Sequence, residues 1–196
     1  MSLRPALDIG IWNAWILTFV LFLMMMLSGV FPRDVGKRIT PVKEVKKTGK
    51  FMMIVFFILI IYSVFLPLKL GTIWFFAGLG VYATGLIISF AALFSIAATK
   101  PGEPFTTGMY RYSRHPLVLG TILPLAGAGI ASASWLFLLL VVTLTIISRF
   151  SLIIEERATV MKFGDSYKRY MAVAPRWIGL PRRDRDIILY QKGGNR

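Results

Sequence analysis

Three polar features interrupt a largely apolar chain, and the first lies in residues 100–120. There Arg114-His115 immediately precedes Pro116, and proline is favoured in the first turn of a helix. The free backbone N–H groups of such a helix start, next to Arg114, suit a carboxylate ligand. An equally simple interpretation is that Arg114 and His115 only anchor a helix end among lipid headgroups. Gly108, earlier in the segment, permits a positive φ angle or a close backbone approach to a ligand.

The second feature is Arg149, which lies inside an apolar run that ends at Ile154. A charged residue at the centre of a bilayer costs at least ~2.5 kcal/mol, so it usually faces a cavity or a charged partner. We therefore expect Arg149 to have a functional role, although its side chain is close enough to the end of the run to reach the membrane surface.

The third feature is the pair Glu155-Glu156 at the end of the same run. Adjacent acids repel each other, and the helix dipole disfavours negative charge at a C-terminus. The pair therefore calls for a cation, which could be Arg149, Arg157 or a ligand. Arg149 and Glu156 are two helical turns apart and share a face, roughly 10 Å from each other along the axis. Acid pairs are common on solvated surfaces, so this signal is weak alone.

The composition indicates which environment must position these residues. The chain is 56% hydrophobic and 16% charged, whereas soluble domains have roughly 45–50% and 25%. Lipid must therefore solvate part of the surface. The absence of cysteine excludes disulfides, thiolate metal sites and a cysteine nucleophile, and we expect no metal. A net charge of +14 fits basic loops beside anionic headgroups better than nucleic-acid binding.

The apolar runs predict one all-α membrane domain with five transmembrane helices. The expected spans are residues 11–31, 51–68, 72–98, 116–131 and 135–154. The fourth is short and interrupted by Gly120, Pro124, Gly127 and Gly129. The link of residues 132–134 is so short that the last two spans must form an antiparallel hairpin. Residues 155–172 have helical periodicity and either extend the fifth span or lie along the interface.

The basic residues predict the orientation. They concentrate between the first two spans, in residues 99–115 and after Ile154, whereas the opposite side has only Arg4 and Lys69. Because basic loops stay in the cytoplasm, the N-terminus is expected outside and the C-terminus inside. All three polar features then lie on the cytoplasmic side, in or next to residues 99–115 and 155–196.

Together these motifs resemble the isoprenylcysteine carboxyl methyltransferase family and its phospholipid methyltransferase relatives. The resemblance covers about a third of the chain, from Gly108 to Arg176. Its motifs, in order, are Gly108-Met109-Tyr110, Arg114-His115-Pro116 with Gly120, Arg149, Glu155-Glu156, Phe163-Gly164, Tyr167, Tyr170 and Pro175-Arg176. The family motif often has tyrosine two residues after the proline, and Val118 stands there in this chain.

The resemblance implies an enzyme that transfers a methyl group from S-adenosylmethionine to a lipophilic acceptor in the membrane. Two parts of the chain would enclose the cofactor: the loop and helix start represented by Gly108, Tyr110, Arg114, His115, Pro116, Leu117, Leu119 and Gly120, and the helix end and following helix represented by Glu155, Glu156, Tyr167 and Tyr170. In this interpretation Tyr110, Tyr167 or Tyr170 packs on the adenine or faces the sulfonium.

The acceptor determines which catalytic residues are needed. A carboxylate, such as that of an isoprenylcysteine, is already ionised at neutral pH and requires only orientation, for which Arg149 is the candidate. A phospholipid amine must lose a proton, and His115 or Glu156 is then the candidate base. In either case we expect two entrances, one lateral from the bilayer for the acceptor and one from the cytoplasm for the cofactor.

Two other functions remain open at this stage. Membrane sterol reductases have a similar C-terminal helical region and use NADPH, which would keep an enzyme but change its chemistry. A scaffold or small transporter would make Arg149, His115 and Glu156 incidental, and alanine variants would then leave ligand binding unchanged.

Overall fold

The regular secondary structure is helical wherever the chain is described. The computed structural model describes residues 7–30, 43–100 and 103–181. In these ranges six α-helices occur, α1 (Trp15–Val30), α2 (Lys43–Val64), α3 (Ile73–Ala97), α4 (Pro116–Ala131), α5 (Trp135–Phe163) and α6 (Asp165–Val173), with a 3₁₀-helix (Gly108–Arg111) between α3 and α4. The all-α prediction is confirmed for these residues. Parts of the chain that lie outside these ranges include Pro101, Gly102, most of the basic segment between the first two predicted spans (residues 32–50), and the tail after residue 181.

Two helices of the described ranges, rather than the five predicted, are long and apolar enough to cross a bilayer. They are α3, with 25 residues, and α5, with 29. At 1.5 Å per residue, α3 extends about 37 Å, more than the roughly 30 Å of a hydrocarbon core. The apolar stretches Trp15–Met24, Lys50–Val64 and Pro116–Ala131 are shorter. Among the described residues, apolar composition alone therefore predicted more full-length spans than the helices provide.

The first two helices are also bounded differently from the prediction. α1 begins four residues later and α2 ends four residues earlier than expected. The residues released from both helices pair with each other, because the Ala14 N–H donates to the Leu66 carbonyl at 2.8 Å and the Leu68 N–H donates to the Trp12 carbonyl at 3.0 Å. A tertiary contact thus replaces one helical turn in each helix.

Close packing of small residues joins α3 and α4 as an antiparallel pair. Gly78 of α3 faces Gly127 of α4 so closely that a Cβ on Gly127 would lie 2.6 Å from the Gly78 carbonyl oxygen. Further along, Gly85 packs on Pro124 and Ser89 packs on Gly120. The predicted interruption of α4 is wrong, because the helix is continuous through Pro124. Its glycines admit the neighbouring helix, as small residues do in lipid.

The hairpin and the extension of α5 bring the polar ends of several helices together. Residues 132–134 connect α4 to α5, as predicted, and the Phe137 N–H donates to the Ser134 hydroxyl at 3.3 Å. α5 continues beyond Ile154 to Phe163, and Gly164, with φ +59°, redirects the chain into α6. The beginning of α4, the charged end of α5 and α6 therefore meet at one end of the bundle.

Candidate active site

A tightly packed loop leads into this end of the bundle. Gly108 has φ +61° and lies against the Ser95 side chain of α3, where a Cβ would collide. The Ser95 hydroxyl also accepts a hydrogen bond from the Met109 N–H at 2.9 Å. Because glycine tolerates both the positive φ and the close contact, the 3₁₀-helix can start here and place Tyr110 in the interior. Gly108 thus shapes the site through backbone packing.

An ionic cluster centred on Glu156 joins three separate segments of the chain. Oε1 of Glu156 lies 3.0 Å from Nη1 of Arg114 and 3.0 Å from Nε2 of His115. Oε2 accepts a 2.6 Å hydrogen bond from Nη2 of Arg176. Only 3% of Glu156 is exposed. The cations that the paired acids required are therefore Arg114 and Arg176, not Arg149 or Arg157.

The two adjacent glutamates have opposite environments in the charged end of α5, beyond its apolar part. Burial alone would raise the pKa of Glu156, but hydrogen bonds from His115 and Arg176 and the charge of Arg114 lower it to about 2. Burial raises the pKa of Glu155, and the charge of Glu156 adds to this effect, while His115 opposes it. Glu156 is thus a fixed anion, and Glu155 is a desolvated carboxyl that accepts a proton more readily.

Beside the cluster lies a cavity of about 200 Å³ into which Glu155 faces. Six of the residues predicted to form the site line it: Tyr110, Arg114, His115, Leu117, Glu155 and Tyr167. The other lining residues are Ile96, Glu103, Pro104, Phe105, Val118, Thr159 and Phe163. The cavity therefore combines aromatic walls, two carboxylates and one guanidinium group.

Hydrogen bonding and ring contacts hold the aromatic wall in place. The rings of Phe105 and Tyr110 are 5.6 Å apart, and those of Tyr167 and Tyr170 are 5.4 Å apart. The Tyr170 hydroxyl donates to the Tyr110 carbonyl at 2.7 Å. Burial, reinforced by the nearby glutamates, raises the pKa of Tyr167 to about 12, so its ring is neutral at physiological pH. Neutral, electron-rich rings beside carboxylates suit a cationic ligand.

Several predicted site residues lie outside the cavity lining. Pro116 is buried at the first position of α4, and Gly120 packs on α3. Leu119 is half-buried on α4, and Tyr170 lies behind Tyr110. None of these four residues lines the cavity, and among them Tyr170 contacts its wall through the hydrogen bond to Tyr110.

Arg149 lies apart from the cluster, on the apolar part of α5. It is exposed and makes no ion pair with any residue that the structure describes. Phe150 and Ile146, also exposed, flank it on the outer surface of the helix. Arg149 shares a helix face with Glu156 by periodicity, but only Glu156 is covered by other segments.

Some lining residues had a sequence signal that was not used. Thr159 and Phe163 follow Glu155 at intervals of four, so one helix face carries all three into the cavity. Arg176 belongs to the resemblance motif, but its pairing with Glu156 crosses 20 residues and two helix ends, which no local pattern reveals. Glu103 and Phe105 lie in the segment of residues 100–120, which was predicted to contribute to the site, but no spacing or motif marked these two residues.

A second, apolar cavity of about 320 Å³ adjoins the first. It lies between α2, α4 and α5 and is lined by Met52, Met53, Phe56, Leu117, Val118, Thr121, Ile122, Leu144 and Ser148. Leu117 and Val118 line both cavities. The two hydroxyl groups in this apolar groove donate to carbonyls of their own helices, Thr121 to Leu117 at 2.9 Å and Ser148 to Leu144 at 2.7 Å. The groove therefore suits an apolar chain.

The comparison with known protein families bears on this pair of cavities. Residues 70–166 match the phospholipid methyltransferase family. The match covers just under half of the chain, from the start of α3 to the start of α6, and includes His115, Glu155 and Glu156. Together with the two long apolar helices, it indicates a membrane methyltransferase.

The match to the phospholipid methyltransferase family does not identify the substrate. No individual curated protein matches the chain. The narrower resemblance to isoprenylcysteine carboxyl methyltransferases therefore stays a prediction. In the part of the chain that the structure describes, no group of three or more histidine, cysteine or acidic residues could hold a metal ion.

Proposed function

We propose that this protein transfers a methyl group from S-adenosylmethionine to a lipophilic acceptor that lies in the bilayer. The observation that supports this proposal is the junction at Leu117 and Val118, where a polar cavity suited to a cation adjoins an apolar groove. A methyl donor and a lipid acceptor need such a pair of neighbouring sites.

The residues of the polar cavity fit the chemistry of the donor. Nε of Arg114 is buried and has no hydrogen-bond partner among the described residues, so it is available for the carboxylate of the cofactor. Glu155 and Glu103 suit the α-ammonium or the ribose hydroxyls, and Tyr110 and Tyr167 suit the adenine or the sulfonium. When bound, the cofactor supplies an electrophilic methyl group, and the walls orient it and exclude water.

The groove gives the acceptor a separate route. Its apolar walls would accept a prenyl or acyl chain directly from the bilayer, while the cofactor enters the polar cavity from the aqueous side. The basic segments support an orientation with the N-terminus outside and the cofactor entrance in the cytoplasm. Two entrances keep the insoluble acceptor out of water.

The first candidate acceptor is the carboxylate of an isoprenylcysteine-type lipid, as the sequence resemblance implies. Such an acceptor requires orientation and no base. Arg149, the residue predicted to orient it, is exposed on the outer surface of α5 and lines neither cavity, so the geometry gives this acceptor less support.

The second candidate acceptor is a phospholipid amine, and the position of Glu155 favours it. An ammonium group must lose a proton before it can attack, so a base is required. Glu156 suits this role poorly, because its pKa is lowered to about 2, and His115 is held by Glu156. Glu155 lines the cavity with a raised pKa and becomes the candidate base.

A methyl-transfer assay separates these acceptors. The purified protein in lipid nanodiscs is incubated with radiolabelled S-adenosylmethionine and either a prenylcysteine or phosphatidylethanolamine. Label released by base indicates an ester, and label stable to base indicates an N-methyl group. Transfer to either lipid that Glu155→Gln abolishes or weakens supports the proposal. Absence of transfer to both, with NADPH oxidised in the presence of a sterol, would favour the reductase alternative.

A further inference from the structure

The segment that follows α6 is fastened to the loop before α4 on both sides of Arg176. We call residues 174–181 the clasp. The Arg114 N–H donates to the Pro175 carbonyl at 2.9 Å, and the Gly179 N–H donates to the Tyr112 carbonyl at 3.0 Å. The clasp therefore runs antiparallel to residues 112–114, with Arg176 between these two backbone hydrogen bonds.

Arg176 alone connects the clasp to α5 through an ion pair. Its Nη2 lies 2.6 Å from Oε2 of Glu156, and its Nε lies 3.4 Å from Oε1. The other two partners of Glu156, Arg114 and His115, both contact Oε1. Arg176 is therefore the side chain that occupies Oε2 and fixes the rotation of the carboxylate.

We propose that Arg176 is a positioning residue, which orients Glu156 and thereby holds Arg114 and His115 in the wall of the cofactor cavity. Arg114 and His115 line that cavity, whereas Glu156 and Arg176 do not. The side chains that would contact the cofactor thus depend on a residue outside the site. The effect on cofactor binding rests on the proposed function, but the hydrogen bonding of the clasp to residues 112–114 does not.

Two measurements on Arg176→Gln test this assignment, with Arg157→Gln as the matched control. Arg157 neighbours Glu156 in sequence, is exposed and makes no ion pair with any residue in the described ranges, so its loss changes the charge equally. Hydrogen exchange at the amides of Arg114 and Gly179 should become faster in Arg176→Gln and stay unchanged in Arg157→Gln. Unchanged exchange in both variants would overturn the clasp.

The second measurement is the affinity for S-adenosylhomocysteine. Losing charge-assisted hydrogen bonds that position Arg114 and His115 should weaken binding about ten- to a hundred-fold in Arg176→Gln. Arg176→Lys, which keeps the charge but not the two-point contact, should fall between. Arg176→Gln with unchanged affinity would overturn the positioning role. Wild-type protein that binds no S-adenosylhomocysteine but shows the exchange difference would refute the proposed function and leave the clasp standing.

The pH dependence of binding adds a readout that lost stability alone would not move. Glu156 faces Arg114 and His115 before α4, Arg176 in the clasp, Tyr167 in α6 and Glu155 on its own helix. Its pKa of about 2 lies below the ordinary 4.5, so the ion pairs persist above 4.5 and are lost as the pH falls towards 2. Without Arg176 the pKa rises, and the acid loss of binding should move to higher pH. If Arg176→Gln and the wild type lost binding at the same acid pH, the assignment would be contradicted.

Discussion

Glu155 and Glu156 are neighbours in sequence, yet their carboxyl groups have different surroundings. Glu156 is enclosed by Arg114, His115 and Arg176, whereas Glu155 lines the cavity beside Tyr110 and Tyr167. A ligand-binding role is expected to cost stability, because a cavity carboxylate is desolvated without a full set of partners. The two residues should therefore respond in opposite directions to the same amide substitution.

Glu156→Gln should destabilise the protein. The substitution leaves the mostly buried Arg114 and the half-buried Arg176 without the buried carboxylate that pairs with them, and breaking a buried ion pair in this way typically costs about 3 kcal/mol. Thermal unfolding in detergent should therefore shift to lower temperature, and affinity for S-adenosylhomocysteine should fall with it. A variant with wild-type Tm would show that the cluster contributes little.

Glu155→Gln should instead raise the Tm at pH values above the raised pKa of Glu155, while weakening or abolishing binding of the methyl donor. The raised folded-state pKa of Glu155 means that its protonated form favours folding, so this stabilisation is lost as the pH rises through that pKa. Glutamine mimics the protonated form and removes the loss. A Tm profile of the variant that parallels the wild type at all pH values above the ordinary 4.5 would contradict this environment for Glu155.

At the scale of helices, the closely packed α3–α4 pair positions the beginning of α4 and thus His115. Gly127→Ala would place a Cβ 2.6 Å from both the Gly78 carbonyl oxygen and the Tyr82 nitrogen, which are backbone atoms that cannot move aside. We expect a cost of about 1–3 kcal/mol, typical of an overpacked interior. Gly80→Ala, on α3 with no atom within 4 Å, is the control and should be neutral or stabilising. Equal Tm values for both variants would contradict this packing.

The sequence was most informative where local rules decide the structure. His115-Pro116 marked the start of α4, and the short link of residues 132–134 marked the hairpin, since proline position and loop length act locally. The predicted start of α1 and the predicted end of α2 were wrong, because residues 12–14 and 66–68 pair with each other across the chain. The same reason explains the site: Arg114, His115 and Glu155 were predicted to belong to it, but the contact between Arg176 and Glu156 is long-range.

At the scale of the whole molecule, the proposed reaction requires a polar cavity for the donor and an apolar groove for the acceptor, meeting at Leu117 and Val118. Because lipid tails are as apolar as the groove, the hydrophobic effect does not drive an acceptor from the bilayer into it. Shape must therefore select the acceptor chain, and the groove should be sensitive to filling.

Thr121→Trp tests the groove. The larger side chain should exclude the acceptor chain and lower kcat/KM for the lipid by at least about ten-fold, equivalent to ~1.4 kcal/mol, with S-adenosylhomocysteine affinity retained. Thr143→Trp is the control, since Thr143 is exposed on α5 and donates the same type of helical hydrogen bond, to the Leu139 carbonyl at 2.9 Å. Equal loss in both variants would show that the groove does not hold the acceptor.

A calorimetric titration with S-adenosylhomocysteine tests the methyl-donor site most directly. Purified wild-type protein and Glu155→Gln are compared, and NADPH is titrated in parallel. We expect saturable binding of one S-adenosylhomocysteine per chain, much weaker binding in Glu155→Gln, and no saturable binding of NADPH. Saturable NADPH binding without any heat from S-adenosylhomocysteine would contradict a methyl-donor site in the cavity lined by Tyr110, His115, Glu155 and Tyr167.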